Sequence, residues 1–222
     1  ELQRAEQIFT LEVSGWSADS SLPCPGGIPF TDDTSYADRN TITNAPGAEL
    51  AVLLYRLTND HTYLEWAKRM YQWVRQCLSL GTGLYADHIT DGGSVDTTTW
   101  TYTQGVMIGA GVMLYKATGD QSYLDQARDT EQATLSYFDP ASFIDEPPFF
   151  VSVVFRNLLL FNSVSPNPVI PEMVKGYADW AWNTQRRKNG LYSFSTDETN
   201  LLSQAAVINA YAMLVEPIDS FY

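Results

Sequence analysis

The chain has little positive charge. Its 13 lysine and arginine residues stand against 26 aspartate and glutamate residues, which gives a formal net charge of −13 over 222 residues. Nucleic acids and anionic membranes attract basic patches, and this acidic balance disfavours both as partners. The one basic run, Arg186-Arg187-Lys188, is placed as a helix C-terminus would be, where cations are favoured. The sequence therefore predicts no nucleic-acid partner.

Histidine and cysteine are also scarce, with two residues of each. Cys24 and Cys77 can form a disulfide in an oxidising compartment, although two cysteines alone do not establish one. His88 lies near Asp87 and Asp91, but one histidine with scattered carboxylates is weak evidence for a metal site. We expect no metal and no cofactor. Serine–histidine–aspartate, phosphate-loop and paired-cysteine motifs are absent from the sequence.

No segment is apolar over the length of about 20 residues that a membrane span requires. The hydrophobic content of 45% and the chain length suffice for one substantial core, so we expect residues 1–222 to form a single domain. Helical periodicity runs from Leu2 with no cap before it. We therefore expect that further chain precedes residue 1 in the natural protein.

What the sequence has in quantity is helical periodicity and internal repetition. Residues 54–68 match residues 114–128, and residues 103–114 are echoed at 203–214. Because one helical hairpin cannot bury its own apolar face, repeated hairpins must stack. Unequal linkers between the copies favour a closed ring over a simple solenoid. The pattern predicts an all-α toroid with about eight helices and no convincing strand pair.

Five segments carry motifs in a fixed order, namely Gly26-Gly27-Ile28 and residues 40–44, 63–67, 98–106 and 117–120. Their order and spacing over about a hundred residues resemble glycoside hydrolase family 76, the endo-α-1,6-mannanase family. The resemblance implies an (α/α)6 barrel of six helical hairpins and a secreted or cell-surface protein. It also implies cleavage of α-1,6-linked mannan, or a related α-mannoside glycan, by a retaining mechanism.

Two features depart from that family. The family's catalytic residues resemble two adjacent aspartates in its N-terminal part, ahead of the region matched here. The adjacent pair Asp32-Asp33 stands in a different motif, so the catalytic residues stay unassigned. Eight predicted helices also fall short of the twelve that six hairpins need. We expect either a toroid that is incomplete at its N-terminal side or a natural derivative without the catalytic pair.

Retaining cleavage of a glycosidic bond needs two carboxylic groups about 5–5.5 Å apart. The acidic residues expected near the mouth of the toroid are Asp32, Asp33, Asp38, Asp91 and Asp96. Each is explained more simply as a solvated loop aspartate or a helix cap.

Polar and aromatic residues recur where the predicted inner helices begin. Asn44, Gln104 and Gln204 hold equivalent positions in the repeats. Amides there can bond sugar hydroxyls or, alternatively, cap the helix or bond a neighbouring loop. Trp100 and Tyr102 can stack on a pyranose ring or pack beneath the long loop. We take these five residues as candidates for binding a polysaccharide or oligosaccharide substrate.

Two other functions fit parts of the sequence. A non-catalytic carbohydrate-binding or scaffold protein would use the same groove without an aspartate pair. A different toroid enzyme, such as a sugar epimerase, usually relies on paired histidines, and the two isolated histidines here do not suit it. An adjacent aspartate pair opening a helix upstream of Glu1 would favour the glycosidase over the binding protein.

Overall fold

The computed structural model of the chain describes residues 1–33, 38–194, 200–216 and 218. Within them lie nine α-helices: α1 (Leu2–Ser14), α2 (Thr41–Thr58), α3 (His61–Cys77), α4 (Thr101–Thr118), α5 (Gln121–Tyr137), α6 (Pro140–Asp145), α7 (Pro148–Val164), α8 (Val169–Trp180) and α9 (Leu201–Val215). A short π-helical stretch, Ala181–Gln185, extends α8. The all-α prediction is confirmed. The six-residue α6 was missed because it is too short to show helical periodicity.

Four helices, α2, α4, α7 and α9, pack side by side in chain order and form an inner layer. Helix α4 is buried without a break from residue 103 to residue 114. Its glycines permit this, because a Cβ at Gly105 would lie 2.6 Å from the backbone of Val154 in α7. A Cβ at Gly111 would lie 2.9 Å from the hydroxyl of Tyr71 in α3. Helices α3, α5 and α8 form the outer layer, so the chain is built from inner–outer hairpins.

The hairpins α2–α3 and α4–α5 turn with the same chemistry, which explains their matching sequences. Asn59 and Gly119 end the inner helices with φ angles of 58° and 74°, in the left-handed region that these two residue types tolerate. Asp60 and Asp120 then cap the outer helices, each accepting a hydrogen bond from the backbone N–H two residues further on.

The prediction of no strand pair is wrong. Three strands, β1 (Arg39–Asn40), β2 (His88–Ile89) and β3 (Val95–Asp96), form an antiparallel sheet in that order. Each strand has two residues, too few for an alternating pattern, and β1 pairs with β2 across a whole helical hairpin. The sheet joins the loop before α2 to the loop before α4.

Cys24 and Cys77 form a disulfide, the state that the sequence left open, with their Cα atoms 5.8 Å apart. It ties the loop before α2 to the end of α3. Arg39 reinforces this attachment: it is 1% exposed and donates hydrogen bonds to three backbone carbonyl oxygens of the same loop. The disulfide and the hydrogen bonds from the buried Arg39 therefore both fix the position of the loop.

Two carboxyl groups, Glu49 of α2 and Glu12 of α1, are removed from solvent where α2 packs on its neighbours. Glu49 is 7% exposed, and its carboxylate lies 3.4 Å from Arg156 of α7 and faces Gly109 of α4. Burial raises the pKa of Glu49 to about 7, although Arg156 acts in the opposite direction. Glu12 of α1 is half-buried against Gly47, and burial raises its pKa to about 7 as well. Both groups are partly protonated in the folded protein at neutral pH.

These raised pKa values predict that the protein loses stability as pH rises. In the unfolded chain a glutamate has its ordinary pKa of 4.5, so it loses its proton at a lower pH than Glu49 does in the folded protein. Between pH 4.5 and 7 the folded state therefore binds more protons, and the stabilisation present below pH 4.5 is lost as pH rises through 7. We expect urea titrations from pH 5 to 8 to show this fall, and Glu49→Gln to remove roughly 1–3 kcal/mol of it. Glu172→Gln, at an exposed site, is the matched control, and an unchanged slope for Glu49→Gln would contradict the prediction.

Candidate functional site

Side-chain amides at the starts of three inner helices hold the loops in front of them. The Oε1 atom of Gln104 accepts from the backbone N–H of Tyr85 at 2.9 Å, and its Nε2 donates to the Tyr85 carbonyl at 3.0 Å. Two other pairs repeat this arrangement, Asn44 with Ile28 and Gln204 with Tyr192. We call it the amide clamp: one amide bonds both backbone groups of one loop residue.

The clamp decides how the three amides are occupied. Asn44 and Gln104 are fully buried, and Gln204 is half-buried. Of the three roles that the sequence left open, these hydrogen bonds match the third, bonding a neighbouring loop. An amide whose oxygen and nitrogen are both engaged has little capacity left for a sugar hydroxyl. Direct contact with a saccharide stays a prediction for the three amides, and their burial argues against it.

A repeated tripeptide in the sequence marks two of the clamped loops. Gly83-Leu84-Tyr85 and Gly190-Leu191-Tyr192 each follow an outer helix, and each ends in the clamped tyrosine. Both tyrosines also form a β-bridge with a residue just after the preceding helix, Tyr85 with Ser79 and Tyr192 with Arg186. The repeated tripeptide is therefore a sequence signal that the two loops share one geometry.

Trp100 and Tyr102 come together at the start of α4, and the choice between stacking on a sugar and packing beneath the loop stays open. Their rings are nearly parallel, at 17°, with centroids 6.4 Å apart. Phe150, in the first turn of α7, packs against both rings. Its ring centroid lies 4.0 Å from that of Tyr102 and 5.6 Å from that of Trp100. All three rings are half-buried, so each keeps some surface toward solvent. We call these three residues the aromatic wall.

Glu146, directly before α7, was missed in the sequence analysis. Its carboxylate accepts from the backbone N–H of Thr101 at 3.1 Å and from the Thr101 hydroxyl. Helix α4 has no side-chain cap of its own, and Glu146 takes that place from the neighbouring helix. Burial raises the pKa of Glu146, and the bonds from Thr101 oppose the rise. The sequence showed only Glu-Pro-Pro, a motif that indicated a helix start and nothing about its partner.

Three of the five candidate aspartates lie on the small sheet: Asp38 before β1, Asp91 between β2 and β3, and Asp96 at the end of β3. Asp91 lies 3.8 Å from the Arg39 guanidinium. Hydrogen bonds from Thr98 lower the pKa of Asp96. The other two, Asp32 and Asp33, are exposed in the loop before β1. The sheet therefore gathers acidic groups at one level of the molecule.

Asp87, His88 and Asp96 place possible ligand atoms within 4.8 Å of one another. The sequence had grouped His88 with Asp87 and Asp91, and Asp91 lies instead beside Arg39. In the structure, His88 Nδ1 lies 2.9 Å from Asp87, and the other Asp87 oxygen lies 3.5 Å from the Tyr102 hydroxyl. These three residues could hold a cation. The absence of a metal stays a prediction.

A hollow of about 710 Å³ lies away from this region, on the outer wall between α5 and α8. Aliphatic and aromatic side chains line it, among them Phe138, Tyr177 and Trp180, and Glu172 is the charged residue among the described lining. A single exposed carboxyl cannot provide paired acid chemistry. We call the region where the aromatic wall meets Asp87 and Glu146 the mouth; it brings two carboxyl groups beside aromatic rings and is the better candidate site.

The helical hairpins bring aromatic rings and carboxylic acids together at one end, and these are the groups that proteins acting on carbohydrates use. The family comparison agrees with this class. The chain belongs to glycosyl hydrolase family 76, whose model matches residues 2–200.

Individual relatives extend the comparison. The chain is 32% identical over 149 residues to the mannan endo-1,6-alpha-mannosidase DFG5 of Candida albicans, covering 62% of this chain and 32% of that protein. A family 76 glycoside hydrolase from a bovine Bacteroides thetaiotaomicron strain superposes with a TM-score of 0.83 at 23% identity, over 96% of this chain and 50% of that one. An α-1,6-mannanase of Salegentibacter sp. HEL1_6 has a TM-score of 0.79 at 24% identity, over 96% of this chain and 68% of that one. The structural matches establish the fold, and the chain spans about a third of the curated relative.

The amide clamp makes a prediction about stability. In Gln104→Leu the buried N–H and carbonyl of Tyr85 lose their partner, so we expect the free energy of unfolding to fall by about 2–4 kcal/mol. Gln132→Leu, the same change at an exposed site on α5, should alter it by less than about 0.5 kcal/mol. Urea denaturation of both variants measures the difference. Equal effects in the two variants would mean that the clamp contributes nothing.

Proposed function

We propose that the protein is a glycoside hydrolase that cleaves α-1,6-linked mannan, or a related α-mannoside glycan, with retention of configuration. The observation that carries this proposal is the family match across residues 2–200. The curated relatives support the choice of glycan, because those matched are named as mannan endo-1,6-alpha-mannosidases. A Salegentibacter family structure holds α-1,6-mannotetraose.

In this proposal the aromatic wall receives the sugar. The partly exposed faces of Trp100 and Tyr102 stack on the apolar face of a pyranose ring. Glu146 acts as a positioning residue, because its bonds to Thr101 fix the start of α4 and with it the orientation of both rings. The clamps on Tyr85 and Ile28 hold the loops that contain these residues at the starts of the inner helices, level with the aromatic wall.

The catalytic acids are not assigned to described residues of this chain. The inactive Salegentibacter variant has two adjacent aspartates replaced. The adjacent pair here, Asp32-Asp33, is exposed and lies outside the family motif. We therefore propose that this chain alone binds the glycan but turns it over weakly or not at all. The five aspartates expected near the mouth stay unassigned candidates for a catalytic role, namely Asp32, Asp33, Asp38, Asp91 and Asp96.

We further propose a single toroid domain in a secreted or cell-surface protein. The Cys24–Cys77 disulfide supports this location, since disulfides persist in oxidising compartments. Among the described helices none is long and apolar enough to cross a membrane. The contiguous core that joins α1 to α8 supports one domain.

Binding and turnover can be measured separately on this chain. We expect α-1,6-mannan included in a native gel to retard the protein, and Trp100→Ala to weaken the binding about 3- to 10-fold, the loss expected for one stacked ring. Trp182→Ala, at a tryptophan that is 51% exposed on the π-helical stretch, is the matched control and should bind normally. In a reducing-end assay we expect no release of sugar above background.

Three outcomes would change the proposal. Robust hydrolysis by this chain would refute its predicted inactivity and place the catalytic acids among its own residues. No retardation by mannan would refute the glycan assignment. If the coding sequence upstream of Glu1 has no adjacent aspartates opening a helix, the non-catalytic carbohydrate-binding protein becomes the better explanation.

A further inference from the structure

The outer face of α3 carries a polar groove that the proposed mouth does not use. One hollow, of about 500 Å³, lies between α3 and the loop that contains Trp16. A second, of about 360 Å³, lies between α3 and α5. Gln72 and Gln76, both exposed on α3, line both hollows and so join them. We call the joined hollows the α3 groove.

The groove differs in charge from the rest of the chain. Its described lining includes two arginines, Arg69 and Arg75, and no aspartate or glutamate, although the chain carries a net charge of −13. The guanidinium of Arg69 lies 4.4 Å from the ring of Trp16 and 4.8 Å from that of Trp66. This stacking holds the group in a fixed plane, and the N–H bonds in that plane stay available to a ligand.

Two polar atoms on residues that line the second hollow have no hydrogen-bond partner among the described residues. They are Nη1 of Arg75, a donor, and Oε1 of Gln126, an acceptor, and both are buried. Buried polar atoms are nearly always paired, so this combination indicates a missing partner. A hydroxyl group can satisfy either kind of atom, because it both donates and accepts. An ionised carboxylate or a phosphodiester could accept from Arg75 but could not donate to Gln126.

We propose that the α3 groove is a second binding site for a neutral glycan, separate from the mouth. Exposed amides, serine hydroxyls and a stacked guanidinium are the groups that bind sugar hydroxyls, and the groove combines all three. The disulfide between Cys24 and Cys77, next to Gln76, holds the loop that contains Trp16 against α3. The identity of the glycan, α-1,6-mannan, rests on the proposed function. The groove would hold a part of the polysaccharide that lies outside the mouth.

Native electrophoresis in gels that contain α-1,6-mannan tests the site without catalysis. The variants are Gln126→Leu, which removes the unpaired acceptor, and Gln72→Ala with Gln76→Ala, which removes the shared amides. We expect each to weaken binding at least threefold with an unchanged melting temperature, since neither deletes a contact of the core. Gln3→Leu, an exposed glutamine on α1, is the matched control and should bind as the original chain does.

The mouth variant Trp100→Ala, run beside these, separates the two proposals. Weaker binding in the groove variants supports the α3 groove whatever the mouth variant does. Loss in Trp100→Ala alone overturns the groove and leaves the proposed function intact, and it would mean that ordered water satisfies Arg75 and Gln126. Loss in the groove variants alone supports the groove and removes the mouth as the mannan site. If inorganic phosphate at constant ionic strength competes with mannan for the protein, the proposal of a neutral-glycan groove is also overturned, because the groove would then be an anion site.

Discussion

The amide clamp is the constraint on which the arrangement of the mouth depends. A loop that runs across the buried start of an inner helix carries backbone groups that water cannot reach, and each needs a partner. The clamp supplies two bonds from one side chain. The same amide nitrogen also bonds the carbonyl of the residue that caps its own helix: Asn44 reaches Asn40 at 2.8 Å, and Gln104 reaches Trp100 at 3.1 Å. Loop, cap and helix are therefore fixed relative to one another.

This constraint links packing to the candidate site. Helix α4 is surrounded by other helices, and its glycines allow α7 to approach closely enough for Phe150 to reach Tyr102. Glu146 then bonds Thr101 across the same junction. The aromatic wall is thus assembled from two helices whose starts are tied together, and the clamp on Tyr85 brings the adjacent loop, with Asp87, to within 3.5 Å of the Tyr102 hydroxyl. Groups far apart in sequence meet there because side chains from neighbouring segments form hydrogen bonds with the backbone beside each group.

The sequence predicted the helical hairpins and their turns because these depend on local patterns. Periodicity located the inner and outer helices, and the internal repeat contained Asp60 and Asp120, which the structure shows to cap the outer helices. The sheet could not be predicted, since its two-residue strands are held by distant partners. Glu146 and the disulfide were undetermined for the same reason: a half-buried carboxyl and a cysteine pair are defined by what they meet in space. The equivalence of Asn44, Gln104 and Gln204 was visible, but equivalent positions do not reveal which partner an amide chooses.

Hydrogen–deuterium exchange at the backbone N–H of Tyr85 tests the clamp most directly. This amide lies in a loop, outside any helix, and its proton is bonded to Gln104 Oε1 at 2.9 Å. If the clamp holds the loop as described, the amide should exchange as slowly as those in the middle of α4. Exchange as fast as that of the exposed loop amide at residue 92 would contradict the account.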